Sequence, residues 1–289
     1  MTPEAPKPLL PQPFTFGGVA ALAQLRIGRV FGYALAIAFT TAVVTVLIFA
    51  RTIAPVIDEA ISQLPDDAQI AHGRLAWPDL ASQRLAGNRC FAVNVRIMGE
   101  PEGVPADFQM ELRTDEFRFH SIAGYLPLAY PTGTISLSQA EMGPRWGAWK
   151  PVLLALSGLA MFIWLFLSWI FLATIYCGFV FSFVLFADRK LTLIGSWKLA
   201  FAALMPGAIL MTVALLFYGF QMIGLLEIGM ASVLHFVIPW FYLLFSPAKL
   251  PKSEIFQPFG PGSATKATAD HPTPSLGRPK KADPNPFRN

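Results

Sequence analysis

The sequence predicts an α-helical polytopic membrane protein with four spans and an inserted extracytoplasmic β-rich α+β domain. Three observations carry that prediction. From Pro151 to Ala187 the chain runs 37 residues without one Asp, Glu, Lys, Arg or His, whereas about 20 apolar helical residues cross hydrocarbon about 30 Å thick. Further apolar runs extend from Val30 to Ala50 and from Leu199 to Leu226. Residues 51–150 reverse the composition, with nine basic and twelve acidic residues and repeated period-2 alternation, the pattern of strands with one buried face. The whole chain is 54% hydrophobic and 14% charged, well below the roughly 25% charged of soluble domains.

Residues 1–29 read as a cytoplasmic Pro-rich segment (Pro3, Pro6, Pro8, Pro11, Pro13) followed by an interfacial helix from about Phe14 to Arg29. The first span, 30–50, starts too late and is too long for a signal-peptide core of about 7–15 residues. Arg51 follows it with no small-residue cleavage pattern, so it reads as an uncleaved anchor. Gly28, Gly32, Ala36 and Thr40 recur every four residues, the ribbon that lets helix backbones approach closely; these four are the expected helix-packing residues, toward a helix of this chain or of another.

The domain at 51–150 opens with a short amphipathic helix, Pro55 to Leu64, ended by Pro65. Phe91, Val93, Val95 and Ile97 then alternate with Asn94 and Arg96, and Phe108, Met110 and Leu112 with Gln109, Glu111 and Arg113. Phe117 and Phe119, then Ile135 and Leu137, repeat the pattern. Four or more short strands follow, separated by Gly and Pro. Trp146, Trp149 and Lys150 make an aromatic and basic collar at the membrane surface. The long second span, 151–187, reads as one helix that overshoots or tilts in the bilayer; two spans with a turn near Ser168 to Gly178 are the alternative. Gly219, Phe220 and Gln221 offer the turn between a third span, 195–217, and a fourth, 222–245, which contain Pro206 and Pro239. Residues 246–289 read as a disordered basic tail.

Orientation follows from counting. The N-terminus, the 188–198 loop and the tail hold 13 basic and five acidic residues, a net +8, while residues 51–150 net −3. Arg26, Arg29, Arg189, Lys190, Lys198, Lys249 and Lys252 all flank spans on one side, which places both termini in the cytoplasm of a bacterial inner membrane. The pI of about 9.1 thus belongs to membrane orientation, and no nucleic-acid footprint is formed.

No catalytic, cofactor-binding or metal-ligating constellation emerges. The phosphate-loop and HExxH patterns are missing, and His72, His120, His235 and His271 do not fall at metal spacing with Cys90 or Cys177. Ser246 and Lys249 form an S-x-x-K at the end of the last span, a four-residue match that arises by chance. Glu227 and His235 are the ionisable residues of the fourth span; they lie within about 80° on one helix. Ionisable residues there are functional candidates by default. The reading adopted is that Glu227 snorkels and His235 hydrogen-bonds a neighbouring helix.

The stretch Leu191-Thr-Leu-Ile-Gly-Ser-Trp-Lys-Leu-Ala-Phe-Ala-Ala-Leu-Met-Pro206, with the apolar residues to Tyr218, resembles the basic-apolar-Pro third span of an uncharacterised bacterial membrane-protein family. That family includes the maltodextrin utilisation protein. Its order of one span, an external β-rich domain, a long second span and two final helices is similar over roughly residues 20–246, and the last two helices also resemble the broader Yip-type membrane fold. The resemblance implies architecture, and the family has no established catalytic residues to carry over. The expected function is a non-enzymatic scaffold, sensor or accessory subunit, partnered by the lipid bilayer and by a membrane protein or another copy of itself. A small transporter or channel acting as an oligomer is the alternative.

Overall fold

The computed structural model describes residues 11–79, 82–98 and 106–251. Most of the expected polar tail, the first ten residues and the Gly99 to Pro105 turn signals lie outside the described residues. The residues up to Pro251 form one compact unit, so the β-rich module and the helical bundle are not separate bodies. Among the described residues four helical stretches are long and apolar enough to cross a membrane: Ile27–Ser62, Gln139–Phe186, Leu193–Gly219 and Leu225–Lys249.

Helix α1, Phe16–Gln24, is capped by the Thr15 hydroxyl, which accepts from the Gly18 N–H at 3.0 Å. Val19, Ala20 and Leu22 are fully buried against the rest of the chain, because the segment carries no charge and is apolar all round, so it can be enclosed. Helix α2, Ile27–Ile48, does not stop where the apolar run does. It continues through a π-turn, Phe49–Ile53, into α3, Ala54–Ser62. Pro55 supplies the reason: it has no N–H, and its ring crowds the carbonyl four residues back, which one wider turn accommodates. Within that turn the Ala54 N–H reaches the Phe49 carbonyl, five residues back.

The described residues of the module hold eight strands in two sheets. Strands β1 (Gln69–Ala71), β2 (Arg74–Ala76) and β8 (Ile135–Ser136) form the smaller, in the order β2-β1-β8. His72 and Gly73 both take positive φ, 51° and 76°, as a two-residue hairpin turn between right-twisted strands requires. The larger sheet runs β3-β4-β5-β6-β7, with β3 Gln83–Gly87, β4 Phe91–Arg96, β5 Phe108–Arg113, β6 Glu116–Ser121 and β7 Gly124–Ala129. All its pairings are antiparallel except β4 with β5. The register puts Val93, Met110, Phe119 and Leu126 in one row and Val95, Leu112, Phe117 and Leu128 in the next. This apolar face packs on α3. Phe91, Val93 and Val95 are buried as the alternation predicts, and Phe108, Met110, Phe117 and Ile135 pack partly buried around them.

The opposite face corrects the expectation of a solvated side. Asn94 and Glu111 are only 5% and 4% exposed. Glu111 meets Arg96 at 3.3 Å and His120 at 2.8 Å, and Asn94 donates to Gln109 at 3.1 Å. Burial of a charge demands such partners.

Helix α4, Gln139–Phe186, is one uninterrupted helix of 48 residues, so of the two readings of 151–187 the single long helix holds, and it begins twelve residues earlier than the apolar run. The third stretch, Leu193–Gly219, is one membrane-length span close to the expected 195–217, interrupted at Leu204 into two helices, α5 Leu193–Ala203 and α6 Met205–Gly219. Pro206 cannot donate to the carbonyl of Ala202; that carbonyl accepts from the Leu204 N–H instead. Helix α7, Leu225–Phe245, starts after a turn in which Gln221 is left-handed, φ 59°. In the bundle core, Trp169 of α4 meets Phe201 of α5 edge-on at 5.8 Å, with α1 packed on α5 behind them.

Candidate functional site

The ends of α2 and α6 nearest the β-rich module are tied to it by a short polar belt. Asn88, in the β3–β4 turn, accepts the Cys90 and Phe91 N–H groups at 2.9 Å each with Oδ1. Its Nδ2 donates to the Thr52 carbonyl at 2.7 Å. Two backbone donors on one side and a carbonyl on the other fix which end of the amide is which. Thr52 Oγ1 in turn donates to the Gly219 carbonyl at 3.3 Å, and Tyr218 Oη to Asp107 Oδ2 at 2.8 Å. The buried Cys90 Sγ lies 4.0 Å from the Tyr218 carbonyl, and burial pushes its thiol pKa up. A second tie joins α3 to α4: Asp58 accepts from Trp146 Nε1 at 2.6 Å and from Lys150 Nζ at 2.7 Å.

Between these ties lies an apolar cavity of about 640 Å³. Thr45, Ile48, Phe49, Thr52 and Ile53 of the α2–π-turn segment form one wall and Met161 of α4 another; Leu215 and Tyr218 of α6 face them, and Phe91, Phe108, Met110 and Phe119 roof it. Its polar residues turn their hydroxyls elsewhere. Thr45 donates to the Thr41 carbonyl at 2.9 Å, and Thr52 and Tyr218 to the partners just named. What they present to the cavity is methyl and ring carbon. A smaller cavity of about 330 Å³ adjoins it, between α3, the sheet and the start of α4, with Ile57 and Met110 lining both and Trp146 and Trp149 at its edge.

The residues singled out from the sequence fall elsewhere. Glu227 is exposed and caps its own helix, Oε2 accepting from the Gly224 N–H at 2.8 Å, which satisfies a free N-terminal donor. His235 sits at the α6–α7 contact, where its carbonyl would lie 2.6 Å from a Cβ on Gly207. Its Nδ1 is buried and has no hydrogen-bond partner among the described residues, so the expected bond to a neighbouring helix is not made there. Glu227 and His235 are not brought into a common site.

Gly28, Gly32, Ala36 and Thr40 point out of the bundle, and nothing in the chain lies within 4 Å of a Cβ on Gly28 or Gly32. The packed ribbon of α2 is Val30, Ala34, Ala38 and Ala42, and the close approach to α4 is made at Gly158, against Val46. Sequence reasoning missed Asn88 and Thr52. The only local signal was an Asn in the short polar connection three residues ahead of the Phe91 alternation, the residue that folds back on the backbone two positions on.

No protein-family model, curated protein or solved structure matches the chain. Among the described residues no three His, Cys, Asp or Glu side chains come together to hold a metal ion.

Proposed function

We propose that this chain is a non-enzymatic protein of the bacterial inner membrane, with both termini cytoplasmic and the β-rich module outside, acting as a sensor or accessory subunit of a membrane complex. The Lys and Arg residues flanking the spans support that orientation. One observation carries the sensing role. The α2–α3 helix and α4 run unbroken from apolar, membrane-length stretches into the module, while the β3–β4 turn is bonded to the ends of α2 and α6. Whatever shifts the module therefore shifts three membrane helices with no flexible linker between, the kind of packed-element displacement by which proteins switch.

Purification in mild detergent with the natural partners tests this reading. The expected product is a complex holding a second membrane protein at fixed ratio, with no ion or proton flux when the chain alone is placed in liposomes. A homo-oligomer that conducts in liposomes, with conduction abolished by Glu227→Gln, would make the transporter reading the right one.

A further inference from the structure

We propose that the 640 Å³ cavity holds one hydrocarbon chain of a membrane lipid, entering from the leaflet on the module's side between α4 and α6. The inference rests on the reading that these helices lie in a bilayer. Four observations lead to it.

The first is chemistry. Every hydroxyl on the wall is committed to a partner outside the cavity, so a polar ligand would lose its hydration and gain nothing. The second is access. Helices α4 and α6 each pack on α2 but not closely on each other, which leaves a lateral gap where Met161 faces Leu215. Both residues belong to uncharged runs, 151–187 and 199–226, so hydrocarbon is what lies outside the gap.

The third is size. The volume falls inside the roughly 300–1,000 Å³ of small-ligand pockets. A partner helix about 10 Å across would fill it within about one and a half turns, too little to dock. The fourth is that water is a poor occupant, because the apolar lining offers it no polar partners. A single acyl chain is flexible, apolar and abundant at the gap.

Such a chain would touch the sheet, the α2 π-turn, α4 and α6 together. Its presence would set their spacing, and the module would report on the lipid beside it.

The test is photolabelling of the full-length protein in phospholipid vesicles containing a phospholipid with a diazirine on its acyl chain, followed by peptide mapping. The expected result is adducts at Met161, Leu215 and Met110 that excess unlabelled phospholipid displaces, because a built site saturates. Filling the space with Met161→Trp and Leu215→Trp should reduce those adducts about tenfold, the loss expected when a bound chain gives up roughly two buried methylenes. Ile163→Trp, on the outward face of α4, should leave them unchanged.

Adducts confined to outward residues such as Ile163, Trp164 and Phe171, or cavity adducts that do not saturate in the natural sequence, overturn the proposal while leaving the membrane reading intact. Adducts on none of these helices overturn both. The saturation measurement needs no variant, so a substituted protein that fails to fold does not rescue the idea.

Discussion

Asn88 is the residue whose loss should separate the module from the bundle, and its three hydrogen bonds let the cost be worked out. Two hold the β3–β4 turn and one reaches the Thr52 carbonyl at 2.7 Å. Each contributes about 1 kcal/mol net, and more where a buried donor is left unsatisfied. Asn88→Ala should therefore destabilise by about 3 kcal/mol. Asn88→Asp keeps both turn bonds but sets a carboxylate against the Thr52 carbonyl, so its cost falls on the tie between module and α2 alone. Thermal unfolding in detergent reads the first number. At about 2–4 °C per kcal/mol for a unit of 150–250 residues, the midpoint should drop by roughly 6–12 °C for Asn88→Ala. Limited proteolysis reads the second, with Asn88→Asp opening cleavage near the π-turn while the module itself stays resistant. A midpoint within about 1 °C of the parent for Asn88→Ala would refute the reasoning, since it would mean the belt contributes almost nothing to the joint.

Further outcomes follow from the same geometry. Ile122→Cys, on a module residue 81% exposed, should react with an impermeant thiol reagent in intact cells while Ser275→Cys in the tail should not; the reverse pattern would invert the topology. Val93→Asp buries an unpaired charge in the sheet core and should cost several kcal/mol, so protease resistance of the module that survives it would count against the strand register. Cys90 is buried, and that burial holds its thiol pKa above the ordinary value, leaving little thiolate to react. Alkylation at neutral pH should be slow in the folded protein and rapid once it unfolds, and equal rates would mean the β3–β4 turn is open. His235→Leu removes a buried Nδ1 without a partner among the described residues and should be neutral or mildly stabilising, whereas Gly207→Val should drive α6 from α7, because a Cβ there meets the His235 carbonyl at 2.6 Å; thermal midpoints in the opposite order would reject this account of the α6–α7 contact.

The parts legible in the sequence are those set by local pattern. Uncharged length gave the helices, and period 2 gave β4, β5 and β6. Strand β3 escaped because Gln83, Arg84, Leu85, Ala86 and Gly87 carry no strand preference. Strand β7 escaped because Gly124 and Pro127 argue against a strand interior. Pro127 is accommodated because β7 pairs on one side only, at the sheet edge. Alternation located Asn94 and Glu111 on the face opposite Val93 but could not tell that neighbouring polar side chains bury these two, since a buried polar residue and a wet one have the same period. The cavity was invisible for a plainer reason. Its walls come from α2 and the π-turn, α4, α6 and three strands, and no window of sequence contains them.

The small-residue ribbon shows where periodicity reaches its limit. Gly28, Gly32, Ala36 and Thr40 and the set Val30, Ala34, Ala38 and Ala42 have the same four-residue spacing. They differ by two positions, which is about 200° around a helix, so they lie on nearly opposite sides of α2. Spacing alone rates them alike, and small size favours the first. A hydroxyl helps decide between them. Thr40 turns its Oγ1 back to the Ala36 carbonyl at 2.9 Å, a bond that stays within its own helix and suits a surface facing lipid. Thr41, beside the second ribbon, also bonds its own helix but in addition meets Thr212 Oγ1 of α6 at 2.7 Å in a buried contact. Turning α2 to bury the first ribbon would break that interhelical pair and leave the Thr212 hydroxyl with only its bond to the Ala208 carbonyl. The larger surface of Val30 adds burial that Gly28 cannot. Which face of a membrane helix packs is therefore fixed by what the neighbouring helix offers it, and a sequence read one helix at a time does not contain the neighbour.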